Sequence, residues 1–178
     1  KMVALVQLVD AGLSFYFVGD AYYACHAVAS GIIKLGGELV SRVKGNAVAY
    51  EPAIQHPVKR RGRPKFYGKK IKLAALFADD KKMSRAESPV YGEKGVTILH
   101  RSAYLIWKPL GRMVRFVAVV HPTRGRCLFM CTDLTAAAID IIKLYGIRFT
   151  IEVSFKNALR VVGAYAYHFW MNAMTPIK

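Results

Sequence analysis

Apolar and polar positions follow two rhythms along this chain. Met2 to Ala11 repeats its apolar residues at helical spacing and stops at Gly12, a residue suited to a left-handed helix terminus. Leu13 to Val18 is short, aromatic and unbroken, which predicts a strand buried on both faces. Helical spacing returns from Ala21 to Leu35 and ends at Gly36-Gly37, and Glu38 to Val43 is predicted as a second strand. Strand, helix and strand within about thirty residues make a βαβ unit with a right-handed crossover. Sheets of this kind gather their sites at the carboxyl ends of strands, and Asp20 stands at such an end.

The texture changes after Arg42. Gly45-Asn46 opens a run of short β-like pieces broken by proline and glycine, with a looser charged passage from Ala78 to Lys94. Strands are predicted at Val96–Trp107, Met113–Val120 and Arg126–Thr132, the last two forming a hairpin across His121-Pro122-Thr123-Arg124-Gly125. From Thr135 onward the spacing is helical, with a weak point at Gly163. The pattern therefore predicts an α/β fold: a βαβ opening and a helical end enclosing a β-rich middle. There is no internal repeat and no low-complexity tract.

Charge narrows the function classes. The chain carries 27 Lys+Arg against 11 Asp+Glu, a formal net charge of +16 and a pI near 10.0. Such a field attracts polyanions, nucleic acid first and an anionic membrane surface second. No apolar stretch approaches the roughly 20 residues of a spanning helix, and no basic n-region or small-residue cleavage site frames Met2 to Val9. The basic residues concentrate between Val58 and Lys72, eight Lys or Arg with no acid. Within that stretch Arg61-Gly62-Arg63-Pro64 reads either as an AT-hook core whose arginines enter a minor groove or as a solvated loop touching only phosphates. Three cysteines, Cys25, Cys127 and Cys131, are too few for a disulfide framework and imply a reducing compartment. His26, His56, His100, His121 and His168 share no metal-ligand spacing and read as structural.

The candidate chemistry lies in the acids. Tyr145, Arg148, Glu152 and Lys156 recur every three or four residues, which sets them on one side of a helix. A carboxylate among cations in so basic a chain points to divalent metal held on phosphate. The rival readings are structural: Asp20 as the N-cap of the Ala21 helix, Glu152 as a partner in surface ion pairs, Asp133 as a helix cap.

Val18-Gly19-Asp20-Ala21-Tyr22-Tyr23-Ala24, followed by Leu39-Val40-Ser41-Arg42-Val43-Lys44-Gly45-Asn46, resembles the region around the second aspartate of bacterial insertion-sequence DDE transposases. Thr132-Asp133-Leu134, with Ile141 to Tyr145 and then Arg148 to Lys156, is similar to the Tyr-Arg-Glu-Lys motif of that group, and Tyr167 to Trp170 resembles the helix after it. The resemblance implies a ribonuclease H-like mixed sheet with flanking helices, interrupted by a β-rich insertion. Residues 1–44 would form the first part of the core, 45–125 the basic insertion, and 126–178 the helical remainder with the glutamate motif. It implies two divalent ions, Mg²⁺ or Mn²⁺, on Asp20 and Glu152, and metal-dependent cleavage and strand transfer at transposon ends. Tyr145 and Arg148 would contact phosphates beside the scissile bond. Arg42, Lys156, Arg160, Arg61 and Arg63 would bind the DNA backbone. Trp107 reads as core of its strand, with stacking on a displaced base as the family-derived alternative, while one of Tyr22 and Tyr23 is expected to reach DNA and the other to pack. The partner would be double-stranded DNA, at transposon ends and target, bound by a homodimer on the nucleoid of a bacterial cytoplasm. Two departures qualify this. The family's first aspartate, on a strand ahead of the Met2–Ala11 helix, is not in the sequence, and Asp10 sits in a helix. The chain therefore reads as a fragment unable to cut DNA alone. The motif lysine, seven residues after the glutamate in the family, is here Leu159, with Lys156 and Arg160 to either side. The alternatives are a catalytically dead remnant that only binds DNA and an unrelated basic α+β protein.

Overall fold

A computed structural model describes residues 2–9, 14–54, 65–90 and 92–161. The elements run α1 (Met2–Val9), β1 (Tyr16–Gly19), α2 (His26–Lys34), β2 (Glu38–Arg42), β3 (Val48–Pro52) and β4 (Tyr67–Lys72). Two 3₁₀ turns follow, Leu73–Phe77 and Asp80–Lys82, then β5 (Ser84–Glu87), β6 (Thr97–Trp107), β7 (Arg112–His121), β8 (Gly125–Cys131) and α3 (Ala138–Val161).

One mixed sheet joins all the described strands in the order β1-β2-β8-β7-β6-β3-β4, with β5 pairing to β6. The expected βαβ unit is present: β1 and β2 are parallel, Tyr16 opposite Glu38 through Gly19 opposite Ser41. β2 then pairs antiparallel with β8, Arg42 against Phe129, and the expected hairpin joins β8 to β7. The β-rich middle thus continues the same sheet.

Alternation along the central strands explains why both faces are covered. On β7, Val114, Phe116 and Ala118 face one cluster with Leu39, Met130, Leu105 and Trp107, over which α2 and the Leu73–Phe77 turn close. Val117 and Val119 face the other, with Val40, Phe129 and Cys131, and here α3 docks through Ala138, Ile141 and Ile142. Trp107 is therefore core, buried among aliphatic side chains.

Two expectations are corrected. The first strand is half-exposed, with Tyr16 at 41%. Among the described residues β1 pairs only with β2, so it lies at a sheet edge. The second correction concerns α2, which starts at His26, not Ala21. Tyr23 N–H donates to the Asp20 carbonyl at 2.8 Å, and the Tyr23 ring meets Phe17 edge-on at 5.9 Å, closing a turn where a helix was expected. Gly19 permits that closure, since a Cβ there would lie 3.0 Å from the Phe17 ring and 3.1 Å from Tyr23 Cβ. The strand expected at Arg126–Thr132 is β8, Gly125–Cys131.

A partly buried polar network fastens the β7–β8 turn to the loop after β5. His121 Nδ1 accepts from the backbone N–H of Thr123 and Arg124, both at 3.2 Å, which leaves Nε2–H to donate to Glu93 at 3.0 Å. Ser88 Oγ donates to the same carboxylate at 2.5 Å, and Arg124 pairs with it at 2.7 Å. Burial pushes the Glu93 carboxyl up, but the hydrogen bonds from Ser88 and His121 and the Arg124 charge outweigh it, so the group lies below its ordinary value. A depressed carboxylate contributes stability above its unfolded value, near 4.5, and loses it as pH falls through the folded value. Glu93→Gln should therefore cost about 1–2 kcal/mol at pH 7, with the gap from wild type closing in acid, as urea unfolding at several pH values would measure.

Candidate active site

The sheet brings distant residues together at the carboxyl end of β1. Asp20 follows directly on that strand, and its carboxylate takes part in no helix cap: α2 is preceded by Cys25, whose side chain makes no capping bond. The Asp20 side chain instead meets α3. Tyr145 Oη donates to Asp20 Oδ1 at 3.1 Å across 125 residues of sequence, and Arg148 Nη2 lies 3.2 Å from the same oxygen. The same guanidinium nitrogen is 3.0 Å from Glu152 Oε1. Both oxygens sit on one nitrogen, so their separation is no larger than the two contacts together, 3.2 plus 3.0 or about 6.2 Å.

The local sequence explains how α3 delivers these groups. Ile141 and Ile142 anchor its first turns on the sheet. Tyr145, one turn on, lays its ring on Phe129 with centroids 4.6 Å apart, so the ring is packed and only the hydroxyl reaches the site. Arg148 and Glu152 follow at steps of three and four, on the side facing Asp20. Burial raises the Tyr145 pKa, and the bond to Asp20 raises it further, so the phenol stays a donor. Arg148 loses some stability as a cation to burial, but Tyr145, Asp20 and Glu152 more than restore it, and its pKa is raised.

Magnitudes separate the structural reading from the functional one. Arg148 is 30% exposed, Asp20 49% and Glu152 55%. Ion pairs so open to water are worth about 0–1 kcal/mol. A stability gain of that size does not require two acids to converge on one cation.

The other expected site residues fall into three groups. Arg42 ends β2 and is exposed, lining with Asp20, Lys44 and Gly45 a cleft of about 390 Å³. Lys156 lies one turn beyond Glu152, exposed and without an ion pair among the described residues. Arg160 continues α3, but its side chain lies outside the described ones, as do Arg61 and Arg63 altogether. Tyr22 is 85% exposed beside Asp20, while the Tyr23 ring packs on Phe17. Asp133 accepts from Thr135 N–H at 2.7 Å and from Tyr16 Oη at 2.5 Å, in the loop ahead of α3 and not at its cap.

A family model described as a transposase DDE domain matches residues 2–164. The chain belongs to the DDE transposase family. Comparison with curated proteins finds no significant match. DDE transposases use divalent metals, and the donor set of this domain fits such ions. Two hard carboxylate oxygens, solvent-accessible and about 6 Å apart at most, suit a pair of ions roughly 4 Å from one another with ligand bonds of about 2 Å. Among the described residues no group of three or more His, Cys, Asp or Glu gathers at one point.

One positioning residue of this transposase domain escaped the sequence reading. Ser41, fully buried on β2 opposite Gly19, donates its hydroxyl to the Asp20 carbonyl at 2.8 Å. A lone serine in an apolar strand carries no pattern, and only the β1–β2 register exposes its use. Ser41→Ala leaves that carbonyl without this donor and should cost about 1–2 kcal/mol, measured by urea unfolding.

Proposed function

We propose that this domain performs metal-dependent phosphodiester cleavage and strand transfer at transposon ends, with Asp20 and Glu152 holding the divalent ions. The reading rests on one observation: a single guanidinium touches two acids from opposite ends of the chain, at the carboxyl end of a parallel strand. Mg²⁺ or Mn²⁺ bound there would supply charge stabilisation for the attacking and leaving oxygens of an in-line displacement. Tyr145 keeps one Asp20 oxygen in place through its packed ring and hydroxyl. Arg148 contacts both carboxylates, and its fork of donors would serve the phosphate beside the scissile bond. Arg42, Lys156, Arg160, Arg61 and Arg63 are proposed to hold the DNA backbone, consistent with a net charge of +16.

The proposed partner is double-stranded DNA, bound as a homodimer on the bacterial nucleoid. Among the described residues no helix is long and apolar enough to cross a membrane. A second reading, a remnant that binds DNA without chemistry, draws on the two-carboxylate count at the site among the described residues.

A Mg²⁺-dependent nicking assay on transposon-end DNA, with the whole protein that carries this domain, separates the two. Asp20→Asn and Glu152→Gln should each lower nicking by about 10²-fold or more while leaving DNA affinity within a few-fold. Wild-type protein that binds DNA but never nicks it favours the remnant.

A further inference from the structure

Two clefts adjoin one another at the end of the sheet where β2 leaves and β8 enters. The first, beside Asp20, is the one lined by Arg42, Lys44 and Gly45. The second, of about 290 Å³, shares Arg42, Val43 and Gly45 with it and continues to Phe77 and Arg126. Because the lining is shared, the two form one groove leading away from the acids. We infer that this groove is a track for the sugar-phosphate backbone of one DNA strand, running from the active site past Arg42 and Lys44 to Arg126. The inference rests on the DNA-processing reading above and extends it from Arg42 to Lys44 and Arg126, which that reading does not use.

Three observations carry it. The charge is one-signed: Arg42, Lys44 and Arg126 line the groove, and Asp20 is its sole acid, at the active-site end. None of the three cations forms an ion pair among the described residues, so their charge is available to a polyanion. The far end is also preorganised. Arg126 holds its guanidinium 5.5 Å from the Phe77 ring centroid, and Phe77 is itself buried in the core. A stacked guanidinium keeps its donor edge outward and loses little freedom on meeting a phosphate. Finally, the shared floor is clear. Gly45 has a negative φ, and a Cβ built there meets nothing within 4 Å, so the backbone turn leaves room for a strand to pass.

Gly45 also supplies a probe that does not disturb the fold, since a side chain there is unstrained and projects into open space. The experiment measures binding of a labelled mixed-sequence DNA duplex by fluorescence anisotropy over a salt series. The proteins compared are wild type, Lys44→Ala, Arg126→Ala, Gly45→Asp and, as an off-track control, Lys34→Ala. Thermal unfolding checks that each variant remains folded. Removing one phosphate contact from a duplex lowers the slope of log affinity against log salt by about 0.9. The track predicts that fall for Lys44→Ala and for Arg126→Ala, weaker binding for Gly45→Asp, and an unchanged slope for Lys34→Ala. Slopes identical to wild type for both Lys44→Ala and Arg126→Ala overturn the track. Nicking that still depends on Asp20 and Glu152 would then leave the active-site reading standing, whereas intact slope changes with no nicking would do the reverse.

Discussion

The contact of Arg148 with two carboxylates ties the two ends of this chain into one site. Asp20 is delivered by a parallel strand, Glu152 by a helix formed more than a hundred residues later, and one guanidinium nitrogen lies within 3.2 Å of both. In a chain of net charge +16, acids near one another are not forced together by any general need for neutrality. Their pairing with an arginine so open to water adds little stability. What it does achieve is placement: two hard oxygen donors meet on one guanidinium nitrogen, at a separation of the size that the proposed pair of divalent ions would need.

The rest of the fold serves that placement. The β1–β2 register puts Ser41 opposite Gly19 and lets its hydroxyl fix the Asp20 carbonyl. β8 joins β2 and presents Phe129 as the seat for the Tyr145 ring, so the helix carrying Glu152 is referenced to the same strands that carry Asp20. Arg115 adds a further tie, donating from β7 to the Ala136 carbonyl in the approach to α3. Strands of the β-rich middle extend this sheet, so the basic surface and the acids belong to one continuous frame.

Local signals were legible in the sequence, and contacts between distant segments were not. The βαβ unit, the β7–β8 hairpin and α3 follow from hydrophobic rhythm and from Gly and Pro punctuation. The spacing of Tyr145, Arg148 and Glu152 showed that they share a helix face. Only the position of Asp20 after a strand, and the family resemblance, connected them to it. Spacing also put Lys156 with the other three, yet it lies a turn beyond Glu152, where α3 carries exposed residues and no longer packs on the sheet. The start of α2 was missed because Tyr22 and Tyr23 continue a helical apolar pattern, while Tyr23 packing on Phe17 and Gly19 holds that segment in a turn. Ser41 and the Glu93–His121 pair were invisible for the same reason: each is a partly buried polar contact between separate elements.

The central claim is that Asp20 and Glu152 serve one divalent-ion site. Mn²⁺ binding followed by electron paramagnetic resonance, on wild type, Asp20→Asn, Glu152→Gln and the double variant, tests it most directly. A shared site predicts that each single change weakens Mn²⁺ binding and that the double change adds much less than the sum of the two. Binding unaffected by either change, or losses that simply add, would contradict it.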